Sequence, residues 1–145
     1  NLSDNGTFSV EPDWSPDGTK IAFRVGNDVQ VMDSTGLNQV NLTNSFRADF
    51  APAWSPDGTE IAFTSQRDGN DEIYVMRSDG TDLRRLTNHS ARDSHPTWSP
   101  DGSRLAFMTY RHGNWEIYVM DSDGSNVNRL TDNPASDQYP DWSSR

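Results

Sequence analysis

One phrase occurs four times along the chain: Asp13-Trp14-Ser15-Pro16-Asp17-Gly18, Ala53-Trp54-Ser55-Pro56-Asp57-Gly58, Thr97-Trp98-Ser99-Pro100-Asp101-Gly102, and a shortened Asp141-Trp142-Ser143. Its tryptophans stand 40, 44 and 44 residues apart. Other segments return in step: Ile21-Ala22-Phe23, Ile61-Ala62-Phe63 and Leu105-Ala106-Phe107; Ile73-Tyr74-Val75-Met76 and Ile117-Tyr118-Val119-Met120; Leu42-Thr43, Leu86-Thr87 and Leu130-Thr131.

A period in the low forties with several short strands per unit is the signature of a β-propeller blade. The middle copy reads as strands near 51–55, 60–66, 72–76 and 82–87, and no stretch offers a helix of useful length. Ser55-Pro56-Asp57-Gly58 fits a type I turn, with Pro presetting the second position and Gly supplying positive φ at the end. Arg77-Ser78-Asp79-Gly80 and Asp121-Ser122-Asp123-Gly124 serve the last two strands in the same way, on the same face by strand parity. Both sides of Ile73-Tyr74-Val75-Met76 are apolar, so that strand needs cover on both faces, and only neighbouring blades supply it. The fold expectation is therefore all-β: three four-stranded antiparallel blades of about 44 residues, open unless another segment or chain completes them. Residues 1–9 would end a preceding blade, 10–43, 44–87 and 88–131 would form three, and 132–145 would begin a further one. Trp14, Trp54 and Trp98 are expected to be wedged between blades, with Trp142 their counterpart in the next.

Composition agrees with thin repeated layers. Only 32% of the 145 residues are hydrophobic, so five Trp, six Phe and four Tyr must supply much of the buried area. A net charge of −10, with no basic block longer than Arg84-Arg85, argues against nucleic acid and anionic membrane as partners. No apolar stretch approaches the 18 or so residues needed to cross a bilayer, and no basic-then-apolar signal segment opens the chain, so membrane insertion is not expected. Without Cys there are no disulfides or thiolate metal sites.

The ordered string Pro-x-Trp-Ser-Pro-Asp-Gly, Ile-Ala-Phe, Arg-x-Gly-Asn, Glu-Ile-Tyr-Val-Met, Asp-Gly, Leu-Thr resembles the WD-like repeat of TolB-like propellers over essentially the whole chain. The resemblance implies a six- or seven-bladed propeller, often periplasmic or extracellular. It also implies one of two roles: a non-catalytic scaffold that binds a protein or peptide partner around its channel, or the propeller of a prolyl-oligopeptidase-like or dipeptidyl-peptidase-like serine hydrolase whose catalytic part is absent here. No Gly-x-Ser-x-Gly elbow or glycine-rich phosphate loop is present, so the chain itself reads as no enzyme.

Candidate site residues come from comparing the copies. The loops Arg67-Asp68-Gly69-Asn70 and Arg111-His112-Gly113-Asn114 either hold a partner or serve the blade, each Arg pairing with a recurrent Asp among Asp49, Asp93 and Asp137. Before each inner-strand Pro stand Glu11, Ala51, His95 and Tyr139, and before those Val10, Phe50, Ser94 and Gln138; such variation suits loop positions selected for binding rather than for the blade. Trp115 replaces Asp71 and is the only Trp outside the repeated phrase, reading either as packing over its own loop or as an exposed anchor. The resulting partner-binding set is Trp115, Arg111, His112, His95, Tyr139, Phe50, Arg67 and Asn70, on the long-loop face opposite the Ser-Pro-Asp-Gly hairpins. The first copy is four residues shorter here, with Val25-Gly26-Asn27-Asp28 leaving a notch.

No cofactor is expected. Three His, none with another at i+4, do not suggest zinc, and Asp121-x-Asp123-Gly124 lacks the third acidic ligand and closing Glu of a calcium loop. Because residues 2–14 duplicate 130–142, the chain is expected either to be part of a longer propeller or to pair with a second copy.

Overall fold

The computed structural model describes residues 9–143 and contains twelve strands among them, with no helix. The segment expected to end a preceding blade lies outside them through residue 8. Three antiparallel meanders result. The first joins β1 (Ser9–Trp14), β2 (Lys20–Val25), β3 (Asp28–Asp33) and β4 (Val40–Asn41). The second joins β5 (Asp49–Trp54), β6 (Glu60–Ser65), β7 (Glu72–Arg77) and β8 (Arg84–Arg85). The third joins β9 (Asp93–Trp98), β10 (Arg104–Thr109), β11 (Glu116–Asp121) and β12 (Asn128–Arg129). In the middle copy the first strand starts two residues earlier than its aromatic pattern suggests, and the fourth shrinks to two residues.

First strands pack on one another, β1 on β5 and β5 on β9, whereas the fourth strands touch only their own blades. The sheets therefore converge at their first strands and fan outward, as wedges around an axis do. Turn chemistry sets the hairpins: Gly58 N–H donates to Ser55 O at 2.9 Å with φ +73 at Gly58, and the Asp57 carboxylate accepts from Ser55 and Thr59. Gly124 is required for a second reason. Its φ is +88, and a Cβ there would lie 2.8 Å from the carbonyl oxygen of Leu86 in the blade before. The short first loop is a two-residue hairpin with Val25 opposite Asp28 and φ +60 at Gly26, its first central position, as a type II′ turn demands.

Strand alternation gives each blade a small face and a large one. Ala22, Val29 and Val31 of the first blade meet Trp54, Ile61, Phe63, Tyr74 and Met76 of the second, with Leu42 packed alongside. Ala62, Ile73 and Val75 of the second meet Trp98, Leu105, Phe107, Tyr118 and Met120 of the third, flanked by Leu86. Large side chains of one blade thus fill the relief left by small ones of its predecessor, a head-to-tail interface that propagates from blade to blade.

Trp54 and Trp98 are wedged as expected, 7% and 8% exposed. Trp98 Nε1 donates to Ala53 O at 3.2 Å, and Trp142 Nε1 repeats the bond to Thr97 O at 3.2 Å. Trp14 is a correction: it is 52% exposed. Each tryptophan packs on the blade before its own, and no described strand stands on that side of β1.

Candidate partner-binding site

The inner strands carry a recurrent irregularity. Register shifts between Val10 and Asp13, and between Phe50 and Ala53, mark a β-bulge, and β9 has one at the same place. At its centre the backbone turns left-handed at Glu11 (φ 56), Ala51 (φ 49) and His95 (φ 54), and Tyr139 repeats it (φ 55). A proline follows each, as tolerated at a bulge where a ladder N–H is not needed. Left-handed non-glycine residues cost about 1 to 3 kcal/mol each. These positions are therefore not the free loop positions their variability suggested: three lie inside strands β1, β5 and β9, where the blade dictates the backbone and leaves the side chain open.

Their side chains line one groove of about 340 Å³, together with Pro12, Pro52, Pro96 and Pro140. From His95 and Tyr139 on its wall, a line of aromatic contacts runs from blade to blade. The Arg24 guanidinium lies 5.4 Å over the Phe50 ring. Phe50 meets His95 edge-on at 5.8 Å, and His95 meets Tyr139 edge-on at 5.0 Å. Tyr139 ends the line 67% exposed.

Burial holds the His95 imidazole below its ordinary pKa, against the opposing pull of Glu11 and Asp71. Its backbone N–H donates to Thr64 Oγ1 at 2.9 Å, Thr64 Oγ1 lies 3.3 Å from Ser94 Oγ, and Ser94 Oγ lies 2.9 Å from Nδ1. Hydroxyls donating in that order would place the ring proton of a neutral imidazole on Nε2. At the other end, Glu11 Oε2 accepts the Ala51 N–H at 2.9 Å and Asp13 Oδ2 the Trp54 N–H at 2.7 Å, joining the first two blades. Burial raises the Asp13 pKa, and its backbone hydrogen bonds oppose this.

The long loops are held from inside. Arg67 pairs with fully buried Asp49 at 3.0 Å and lies 4.8 Å over the Tyr74 ring. Arg111 pairs with fully buried Asp93 at 2.6 Å and lies 5.3 Å over Tyr118. The pairing of each Arg with a recurrent Asp is thus present in both complete loops. Asp137 instead accepts from the Asn133 amide at 2.6 Å. The Asn70 amide donates to the carbonyls of His89 at 2.8 Å and Ala91 at 3.0 Å, tying its loop to the connector before the third blade. His112 Nε2 lies 2.8 Å from Tyr118 OH; in the second blade the Tyr74 hydroxyl donates to Asp68, and its pKa is raised by burial and by that carboxylate.

Sequence reasoning passed over two residues that organise these loops. Glu72 and Glu116 have no exposed surface. Glu72 accepts from Thr87 Oγ1 at 2.6 Å, His89 N–H at 2.8 Å and Arg85 at 3.0 Å. Glu116 accepts from Thr131 Oγ1 at 2.5 Å, Asn114 at 2.8 Å and Arg129 at 2.9 Å, and these bonds, the Thr131 one first, hold its carboxyl down at about 2. The signal was available, since Asn-x-Glu-Ile-Tyr-Val-Met occurs twice with Thr fifteen residues after each Glu.

The candidates thus divide. His95 and Tyr139 share the inner groove, Phe50 packs against His95 beside it, and Arg67, Arg111 and Asn70 brace the loops. Trp115 meets Tyr110 edge-on at 5.4 Å in a separate hollow with Ser90, Ala91 and Arg92.

Head-to-tail meander sheets converging on bulged inner strands define a propeller of the WD-like class. The chain belongs to the TolB beta propeller domain family, whose profile matches residues 1–145. It is similar to the structure of a putative TolB from Agrobacterium tumefaciens, with 30% identity, a TM-score of 0.81, and 90% of this chain and 51% of that one covered. TolB from Acinetobacter baumannii is similar at 32% identity and a TM-score of 0.75, with 91% of this chain and 34% of that one covered. A chain in the nidogen/laminin complex shares the fold, at 16% identity and a TM-score of 0.74, covering 86% of this chain and 48% of that one. The chain therefore spans about half or less of the length of these structures. Among curated proteins none matches it.

Proposed function

We propose that the chain is a non-catalytic scaffold that binds a protein or peptide partner through its inner groove and long-loop face. The observation that carries this is the line Arg24, Phe50, His95 and Tyr139, which runs across the blades at positions whose side chains differ in every copy, with left-handed backbone at His95 and Tyr139. Aromatic and Arg side chains are the types that dominate binding energy at interfaces, and four prolines keep the groove wall rigid. Likeness to TolB supports a periplasmic or extracellular setting. A longer chain or a second copy would complete the ring, consistent with Trp14 and Leu130 being 52% and 60% exposed.

The test is selection of displayed peptides on the folded chain, followed by affinity measurement against two sets of variants. Replacing Phe50, His95 and Tyr139 together by Ala is expected to weaken the selected peptides at least about tenfold, as loss of one modest hot spot does. Peptides indifferent to that change but lost on Asp57→Ala or Asp101→Ala would move the site to the hairpin face and overturn the proposal.

A further inference from the structure

The second and third blades differ at one pair of positions in a way that their shared scaffold does not require. In the second blade the long loop begins at Gln66 and ends at Asp71, and Gln66 Nε2 donates to Asp71 Oδ1 at 2.8 Å. In the third blade the same two positions hold Tyr110 and Trp115, with ring centroids 5.4 Å apart at 68°. Either pair closes the loop, so loop closure alone does not call for two aromatic rings. With Ser90, Ala91 and Arg92 of the connector, the rings line a hollow of about 400 Å³ that shares no lining residue with the inner groove.

Its chemistry is specific. Tyr110 is 45% exposed. The Arg92 side chain is 68% exposed, and its single ion pair among the described residues is the 4.0 Å approach of Nε to Asp71, so its terminal nitrogens point to no protein acceptor there. Trp, Tyr and Arg in one hollow are the three residue types most enriched at binding hot spots. The volume suits one large side chain rather than a folded surface. Among the described residues Arg92 is the only cation lining it, in a chain of net charge −10.

We infer that this hollow is a second anchor point, taking an apolar side chain with a carboxylate beside it, as at the C-terminus of a peptide. The side chain lies against Trp115 and Tyr110, and the carboxylate meets Arg92. The inference does not rest on the inner groove.

The probe is N-acetyl-leucine, compared with its uncharged analogue N-acetyl-leucinamide, each titrated into the ¹⁵N-labelled chain. Readout is the indole N–H resonance of Trp115, identified by its loss in Trp115→Phe. N-acetyl-leucine is expected to give a saturable shift in the millimolar range, and the amide to bind about fivefold more weakly, the upper end for an exposed ion pair. Arg92→Gln should remove that difference without disturbing the fold, because the side chain is exposed. Tyr110→Gln with Trp115→Asp, which installs the second blade's own pair, should abolish binding, read from the Arg92 Nε–H resonance. Equal affinity for the two ligands, the absence of a saturable shift, or binding that survives the double change would each overturn the inference.

Discussion

Trp98 and Trp14 occupy the same position of the repeat, so truncating each to Ala isolates what the neighbouring blade contributes. Trp98 is 8% exposed, packed on Ala62, Ile73 and Val75, with its indole N–H bonded to Ala53 O at 3.2 Å. Removing about 200 Å² of buried aromatic surface at roughly 25 cal/mol per Å² predicts about 5 kcal/mol. Partial collapse of the cavity lowers this, and the orphaned Ala53 carbonyl raises it, so about 3 to 5 kcal/mol is expected. Trp14, 52% exposed, keeps about half that contact and has no indole hydrogen bond among the described residues. Its truncation is expected to cost about 2 kcal/mol. Urea unfolding followed by far-ultraviolet circular dichroism suits both variants, since loss of a fluorophore does not bias it. The reasoning fails if Trp14→Ala costs as much as Trp98→Ala, or if Trp98→Ala costs less than about 1 kcal/mol.

Gly124→Ala combines positive φ with a Cβ placed 2.8 Å from Leu86 O, while Gly113→Ala has φ +87 and open space around it. The first should lower stability by about 2 to 3 kcal/mol and the second by about 1, measurable as melting midpoints, and equal losses would show that the close approach of the blades is not felt. Glu116 has its folded pKa depressed to about 2 from 4.5, so its stabilising contribution is complete above pH 4.5 and is lost as pH falls through that range toward 2. Glu116→Gln should therefore lose less stability than the wild type between those limits in urea midpoints taken across pH; parallel curves would remove Glu116 as a source of acid sensitivity.

Much of this molecule was legible in its sequence because the signals are local. Apolar side chains on both sides of Ile73-Tyr74-Val75-Met76 demanded cover on both faces, and the structure buries all four. Ser-Pro-Asp-Gly specified its turn through proline's fixed φ and glycine's tolerance of positive φ. Recurrent Arg and Asp at constant spacing foreshadowed the pairs Arg67 with Asp49 and Arg111 with Asp93. The tertiary structure decided matters that depend on what stands beside each copy. Identical phrases place Trp98 in a core and Trp14 half in solvent, because a tryptophan is buried by the preceding blade and not by its own. Glu11, Ala51, His95 and Tyr139 looked free because they differ, yet their backbone takes the same left-handed turn, which a sequence records only as varied side chains before proline. His95 and Trp115 are twenty residues apart in one blade and line different hollows, since a strand carries the first to the axis while a loop returns the second to the connector. Periodicity and turn chemistry act within a few residues, whereas which side chains share a surface is fixed by the angle at which one wedge meets the next.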